Sequence, residues 1–232
     1  MTTHPRFALY FTPAPGSALA RFGAEMLGYD CDAGAPVARR KLDGIDAAAA
    51  AAATAEPARY GFHGTLMAPF ELAPDRSAGE LEQALAAFAR SRAPVSLGQL
   101  KVAGIASFTA LVPDGPEDAV RALAGDCVTA FSDFRAALTP HDRERRLAAR
   151  LSPRQIEFLE RWGYPYVFSE FRFHMTLTGR LPAHQQARWQ AALAAAFAPL
   201  SPMPVEIDAV SLMRQEDRGA AFRVVARRPL QG

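Results

Sequence analysis

Asparagine is absent from these 232 residues, and lysine occurs only at Lys41 and Lys101, so 24 of the 26 basic residues are arginine. Alanine is correspondingly abundant. The pattern reads as the codon bias of a GC-rich genome, so most of the alanine and arginine content carries no functional message. Cysteine is scarce: Cys31 and Cys127 lie far apart with no CxxC or Cys/His spacing around them, which argues against a structural zinc site. Two lone cysteines fit a reducing cytoplasm better than a disulfide-stapled secreted domain. Long apolar runs are also missing. The alanine tract Ala47–Ala53 is too short and too weakly apolar to span a bilayer, and residues 1–13 hold no apolar stretch ahead of a cleavage site. A cytoplasmic protein with no membrane contact is expected. Excess charge of one sign is lacking too. A net charge of +2 argues against a strongly basic nucleic-acid coat and leaves room only for a local basic groove. No GxxxxGK[ST], GxGxxG or GxSxG string occurs, so triphosphate, dinucleotide and serine-hydrolase readings lose support.

What is present is globular: 50% hydrophobic and 22% charged residues, enough apolar material for one large domain or two small lobes. Arg6–Thr12 alternates and predicts a strand with Phe7, Leu9 and Phe11 on one face and Ala8, Tyr10 and Thr12 on the other. Ser17 predicts the cap of a helix running to about Leu27. Residues 30–58 read as a loop with at most a helical turn, although the alanine tract itself suits a helix. Further strands are expected over Tyr60–Leu72, twice within Val95–Val112, over Phe171–Leu181, Val205–Met213 and Ala221–Arg227. Helices are expected over Ser77–Ala89, Pro116–Ala137, Pro153–Trp162 and Ala183–Phe197.

An internal repeat organises these elements. Phe62-His63-Gly64-Thr65-Leu66 matches Phe173-His174-Met175-Thr176-Leu177 at an offset of 111. A helix follows each copy, then strands beginning at Val95 and Val205. The repeat predicts one α+β domain over residues 1–232 with two pseudo-symmetric lobes, antiparallel sheets around a central cleft and helices on the outer faces. One lobe is expected around 60–112 and the other around 171–228, with the first strand and the 116–165 helices shared or swapped.

Side chains alternate across a strand, so His63 and Thr65 share one face while Phe62, Gly64 and Leu66 share the other; the second copy divides the same way. A single His-x-Thr on a strand is usually a sheet pair without further meaning. Two at equivalent positions suggest a shared groove. Two imidazoles facing one small volume suit general acid–base chemistry near neutrality, one removing a proton and the other supplying one. Two threonine hydroxyls can hold phosphate oxygens. The pattern points to a phosphodiester, most naturally a cyclic one, with no cofactor and no metal. His4, His141 and His184 read as surface residues.

The paired motifs FHGTL and FHMTL resemble the two H-x-T-x motifs of the 2H phosphoesterase superfamily, which includes RNA 2′,3′-cyclic phosphodiesterases and 2′-5′ RNA ligases. The longer strings RYGFHGTLMAPF (Arg59–Phe70) and WGYPYVFSEFRFHMTLTGRL (Trp162–Leu181) resemble one branch, found beside phosphonate-degradation genes. The resemblance runs from the first strand to the last. It implies His63 and His174 as the acid–base pair and Thr65 and Thr176 as phosphate contacts. It departs at Met67, where that branch often carries a basic residue.

Four further residues are candidates for substrate contact. Tyr10 lies on the groove side of its strand. Arg172 shares the face of His174 and can grip phosphate bidentately. Tyr60 and Tyr166 can stack on a ribose or base. The run Arg143, Arg145, Arg146, Arg150 and Arg154 reads as a solvated segment or as a flap over an anionic substrate. The leading function is a metal-independent cyclic phosphodiesterase acting on a small ribose or nucleotide cyclic phosphate, with a link to phosphonate metabolism, in a monomer. An enzyme acting on RNA ends is the less favoured alternative, and a non-catalytic nucleotide or RNA-end binding module is the rival from another class.

Overall fold

The protein's structure, a computed structural model, describes residues 5–232; His4 lies outside them. Eleven strands occur in the described residues: β1 (Arg6–Phe11), β2 (Tyr29–Asp30), β3 (Ala35–Pro36), β4 (Gly64–Glu71), β5 (Val95–Gly98), β6 (Leu100–Ile105), β7 (Phe108–Pro113), β8 (Met175–Thr176), β9 (Val205–Ile207), β10 (Ala209–Gln215) and β11 (Arg223–Pro229). The α-helices are α1 (Ala18–Leu27), α2 (Ala47–Ala58), α3 (Ala78–Arg90), α4 (Asp118–Phe131), α5 (Pro140–Leu147), α6 (Pro153–Trp162) and α7 (Ala183–Phe197). The fold is α+β, and every strand pair is antiparallel. Seven strands form one sheet in the order β11-β10-β1-β4-β8-β7-β6, and β2–β3 and β5–β9 are separate pairs.

Local chemistry sets the helix ends. The Ser17 hydroxyl accepts from the Ala20 N–H, and Gly28, at φ 71°, ends α1 in the left-handed region that L side chains avoid. Ser77 and Glu80 form a reciprocal capping box on α3, and Ser152 with Gln155 does the same on α6, where Pro153 takes the first turn. The expected loop over 30–58 with at most a helical turn is corrected by α2, which runs for 12 residues through the alanine tract. The Asp46 carboxylate accepts from the Ala49 N–H, and the run of alanines, the strongest helix former, does the rest.

The expected split of residues 60–112 and 171–228 into separate lobes is not what the strands do. The hairpin β6–β7, which follows the first motif, pairs beside β8 of the second; the hairpin β10–β11, which follows the second motif, pairs beside β1. The cause is a crossing. After the first motif, α3 packs under β10 and β11; after the second, α7 packs under β6 and β7. Between each helix and its hairpin the chain runs through β5 or β9, and these two pair with each other, Val95 opposite Ile207. Each hairpin therefore ends on the other motif's side.

The two faces of β1 divide as its alternation implies. Phe7, Leu9 and Phe11 join the main core with Phe22 and Met26 of α1, Leu81 and Leu85 of α3, Leu123 and Cys127 of α4, and Trp189 and Leu193 of α7. Ala8 and Tyr10 face the other way, into a small cluster with Cys31, Met213 and Phe222, against which Tyr60 packs. Met67 is buried in the main core, so a basic side chain has no place at that position. The second motif's strand is far shorter than Phe171–Leu181. The Phe173 N–H donates to the Glu117 carboxylate, Leu177 and Thr178 both donate to the Thr109 carbonyl, and Gly179 donates to that of Ala53. Leu177 still follows the β7 register, but the donors of Phe173, Thr178 and Gly179 do not, and only Met175 and Thr176 remain regular. Among the described residues no helix is long and apolar enough to cross a membrane.

Candidate active site

β4 and β8 meet at the centre of the sheet, where Gly64 pairs with Met175. Continuing that register by one residue each way sets His63 across from Thr176 and Thr65 across from His174. The four residues lie on the face opposite the main core. Close packing on the core side permits this approach: a Cβ on Gly64 would run into the Phe173 ring. Phe62 is likewise received by Gly23 of α1, where a Cβ would overlap its ring. The flanking aromatics of both motifs thus anchor the strands from beneath while the histidines face outward.

The two imidazoles are held alike. Nδ1 of His63 donates to the Gly61 carbonyl at 2.8 Å, and Nδ1 of His174 donates to the Arg172 carbonyl at 2.9 Å. A carbonyl can only accept, so Nδ1 carries the proton in both rings and Nε2 is left for chemistry. Nε2 of His63 lies 3.2 Å from the Thr65 hydroxyl, which donates to it. Both histidines and both threonines are half-buried. Burial pulls the His63 pKa down to about 4, with a smaller push in the same direction from His174; the Gly61 carbonyl opposes them. His63 is therefore neutral at pH 7 and able to accept a proton.

A cavity of about 230 Å³ opens beside His63, lined by His63 and Thr176 with Tyr60, Phe108, Glu56 and Arg180 among others; His174 and Thr65 lie outside its lining. Phe108 places its ring 5.7 Å from that of His174. Tyr60 stacks on Phe222 at 5.5 Å and stands 6.4 Å from His63. Tyr10 does not line the cavity. Its ring stacks under His63, centroids 3.7 Å apart and planes 14° from parallel, while burial holds its phenol proton well above the ordinary range. Arg172 is exposed, and its contribution to the site is the carbonyl that orients His174. Tyr166 is also outside the cavity, 42% exposed with its ring edge-on to Tyr164. Among the described residues no three His, Cys, Asp or Glu side chains gather as a metal site would require.

Glu56 and Pro57 of α2, and Gly61, Phe108, Gly179 and Arg180, complete the lining with Thr178 and were not singled out from the sequence. Thr178 alone carried a signal, through its parity with His174. Its hydroxyl is buried and accepts from the Thr109 N–H at 3.0 Å, which ties β7 to the second motif.

Residues 65–223, which hold Thr65, His174 and Thr176, match the family described as protein of unknown function (DUF1045). The chain belongs to the DUF1045 family. Two curated relatives are each 38% identical to this DUF1045 chain, and both are named ribose 1,5-bisphosphate phosphokinase PhnN. The one from Janthinobacterium sp. (strain Marseille) aligns over 98% of this chain and 51% of its own length. The one from Laribacter hongkongensis (strain HLHK9) aligns over 94% and 50%. The DUF1045 chain thus spans about half the length of the curated relatives it matches. Among solved structures, a conserved protein of unknown function from Agrobacterium tumefaciens strain C58 aligns over 97% of this chain and 86% of its own, at 12% identity and a TM-score of 0.48. Protein TT0787 of Thermus thermophilus aligns over 98% of both chains, at 15% identity and the same TM-score.

Proposed function

We propose that this protein is a metal-independent cyclic phosphodiesterase of the 2H type, acting on a small ribose cyclic phosphate. The observation that carries the reading is the register at Gly64 and Met175, with each histidine opposite the other motif's threonine and each Nδ1 tied to a backbone carbonyl.

In the step we infer, Nε2 of His63 takes a proton from water as the water oxygen bonds to phosphorus. The bond from phosphorus to one ring oxygen breaks, and His174 delivers its Nε2 proton to that oxygen. One water is consumed and a phosphate monoester forms; proton exchange through solvent resets the pair. His63 takes the base role because burial keeps it neutral, and the donor's role falls to the other imidazole. The Thr65 and Thr176 hydroxyls donate to the non-bridging oxygens as charge builds there. Thr65 must leave His63 to do so, which frees Nε2 at the moment substrate arrives.

The cavity argues for a small substrate. At about 230 Å³ it lies below the usual 300–1,000 Å³ of drug-sized pockets and suits one sugar phosphate better than an RNA end. The relatives' name adds the sugar. Opening a ribose 1,2-cyclic phosphate that carries a 5-phosphate yields ribose 1,5-bisphosphate, the compound in that name. The phosphokinase part of the name is not carried over, because this chain has no GxxxxGK[ST] loop and spans half of those proteins. The link to phosphonate breakdown rests on the resemblance of the two motif strings alone.

The test is a turnover screen of ribose 1,2-cyclic phosphates, 2′,3′-cyclic nucleotides and RNA 2′,3′-cyclic ends, with His63→Ala and His174→Ala as controls. Each variant is expected to lose about 10²–10⁴-fold in turnover on the best substrate. Full turnover by either variant sinks the paired-histidine mechanism. Tight binding of a cyclic phosphate with no turnover of any would instead establish the binding-module reading.

A further inference from the structure

A second cavity of about 50 Å³ lies at the far end of β1, away from the histidines. Five arginines line it, Arg6, Arg135, Arg145, Arg146 and Arg218, against two carboxylates, Glu71 and Asp142. The carboxylates are already engaged: Arg218 bridges both at 3.1 Å, and Arg145 holds Asp142 at 2.9 Å. That leaves Arg6, Arg135 and Arg146 without a salt bridge among the described residues, with Asp142 attracting Arg146 only from a distance. All three are half-buried. Arg6 donates to the neutral Gln215 side chain, and Arg135 donates to the Ala136 carbonyl. Arg146 lies over the Tyr164 ring at 5.0 Å. The buried Nε atoms of Arg135 and Arg146 both lack a hydrogen-bond partner among the described residues.

Unpaired buried donors and clustered like charges are each costly, and they occur together here. Burial and the neighbouring Arg146 lower the Arg135 pKa; burial also lowers that of Arg146, which Tyr164 opposes. An incoming anion would relieve the repulsion and satisfy the donors at once. Guanidinium forks match the tetrahedral oxygens of phosphate. The space agrees. A water needs roughly 10–15 Å³ of such volume, so about 50 Å³ admits a group of four or five heavy atoms and no sugar ring.

We propose that this arginine pocket binds a phosphate group. The inference rests on the phosphodiesterase reading only for where that group comes from. Arg6 shares the face of Tyr10 on β1, four residues away, and a strand rises about 3.3 Å per residue, so the pocket stands roughly 13 Å along the sheet from the residue under His63. The phosphate is either the far end of the substrate or a separate free anion. Arg146, a member of the basic run noted in the sequence, is thereby one of the three guanidinium groups left to hold it.

The test is calorimetric titration of inorganic phosphate into the full chain, His63→Ala and the double variant Arg135→Gln/Arg146→Gln. Wild type and His63→Ala are expected to bind with equal affinity at this site, and the double variant at least tenfold more weakly. Arg146→Lys, which keeps the charge and removes the fork, is expected to fall between them and covers the case of a double variant that folds poorly. Absence of binding at millimolar phosphate, or undiminished binding by both Arg146 variants, overturns the proposal. Kinetics then separates the sources. If the phosphate belongs to the substrate, the double variant raises KM for a two-phosphate cyclic substrate tenfold relative to a one-phosphate one. An unchanged KM ratio with lost phosphate binding assigns the pocket to the free anion. The calorimetry stands even if no cyclic phosphate is turned over, so the two readings can fail separately.

Discussion

Tyr10 of β1 and His63, the residue just ahead of β4, stack almost face to face, 3.7 Å between ring centroids. The Tyr10 ring is one wall of the low-dielectric surroundings that keep His63 neutral. Tyr10→Phe is expected to leave the His63 pKa near 4 and turnover near wild type. Tyr10→Ala removes the wall, lets water in and raises that pKa toward 6.5, at a stability cost of about 3–5 kcal/mol, the range for losing a buried aromatic. An NMR titration of the His63 ring in the three proteins is the check. A low pKa surviving in Tyr10→Ala would assign the shift to another cause.

The same depressed pKa links stability to pH. Between pH 6.5 and 4 the unfolded chain takes a proton on His63 that the folded chain refuses, so stability falls as pH drops through that window and the effect levels off below it. Full development amounts to about 3 kcal/mol for this one group. Urea melts of wild type and His63→Gln at pH 7, 5.5 and 4 measure it as a widening difference; parallel curves would contradict it.

Gly64 is the contact point of the two motif strands, and its hydrogen faces the Phe173 ring. Gly64→Ala is expected to cost about 1–3 kcal/mol through overpacking and to lower activity by pushing β4 from β8. Phe173→Leu in the same chain makes room and should recover part of both. Failure of the second substitution to recover either would place the strain elsewhere.

Glu117 acts on the second motif from the start of α4 by accepting the Phe173 N–H at 2.9 Å, one residue before His174. Glu117→Ala leaves that donor unpaired, at a cost of about 1–3 kcal/mol, and loosens His174. Glu117→Gln keeps an acceptor and should keep most of the activity. Hydrogen exchange at the Phe173 amide reports the bond directly.

Much of this was legible in the sequence because it depends on alternation. The faces of β1, the parity of the two His-x-Thr motifs and the cap at Ser17 all follow from local rules that the fold obeys. The α2 wall was not legible as a site, since an alanine run has no apolar stripe to say which side packs, and Glu56 enters the cavity only through the helix's placement. The length of β8 misled because the donors flanking it, those of Phe173 and Gly179, bond to the Glu117 side chain and the Ala53 carbonyl outside the sheet. The arginine pocket assembles residues 6, 135, 146 and 218 from separate parts of the fold, and no window of sequence contains it.

β8 has no neighbour from its own half of the chain: β4 lies on one side and β7 on the other, and both precede it by about sixty residues or more. During synthesis the first half therefore emerges with an empty slot between two strands, their edges unpaired. The slot fills only when residues 175 and 176 arrive and bring His174 with them. Closing the sheet and bringing the second histidine beside the first are therefore one event.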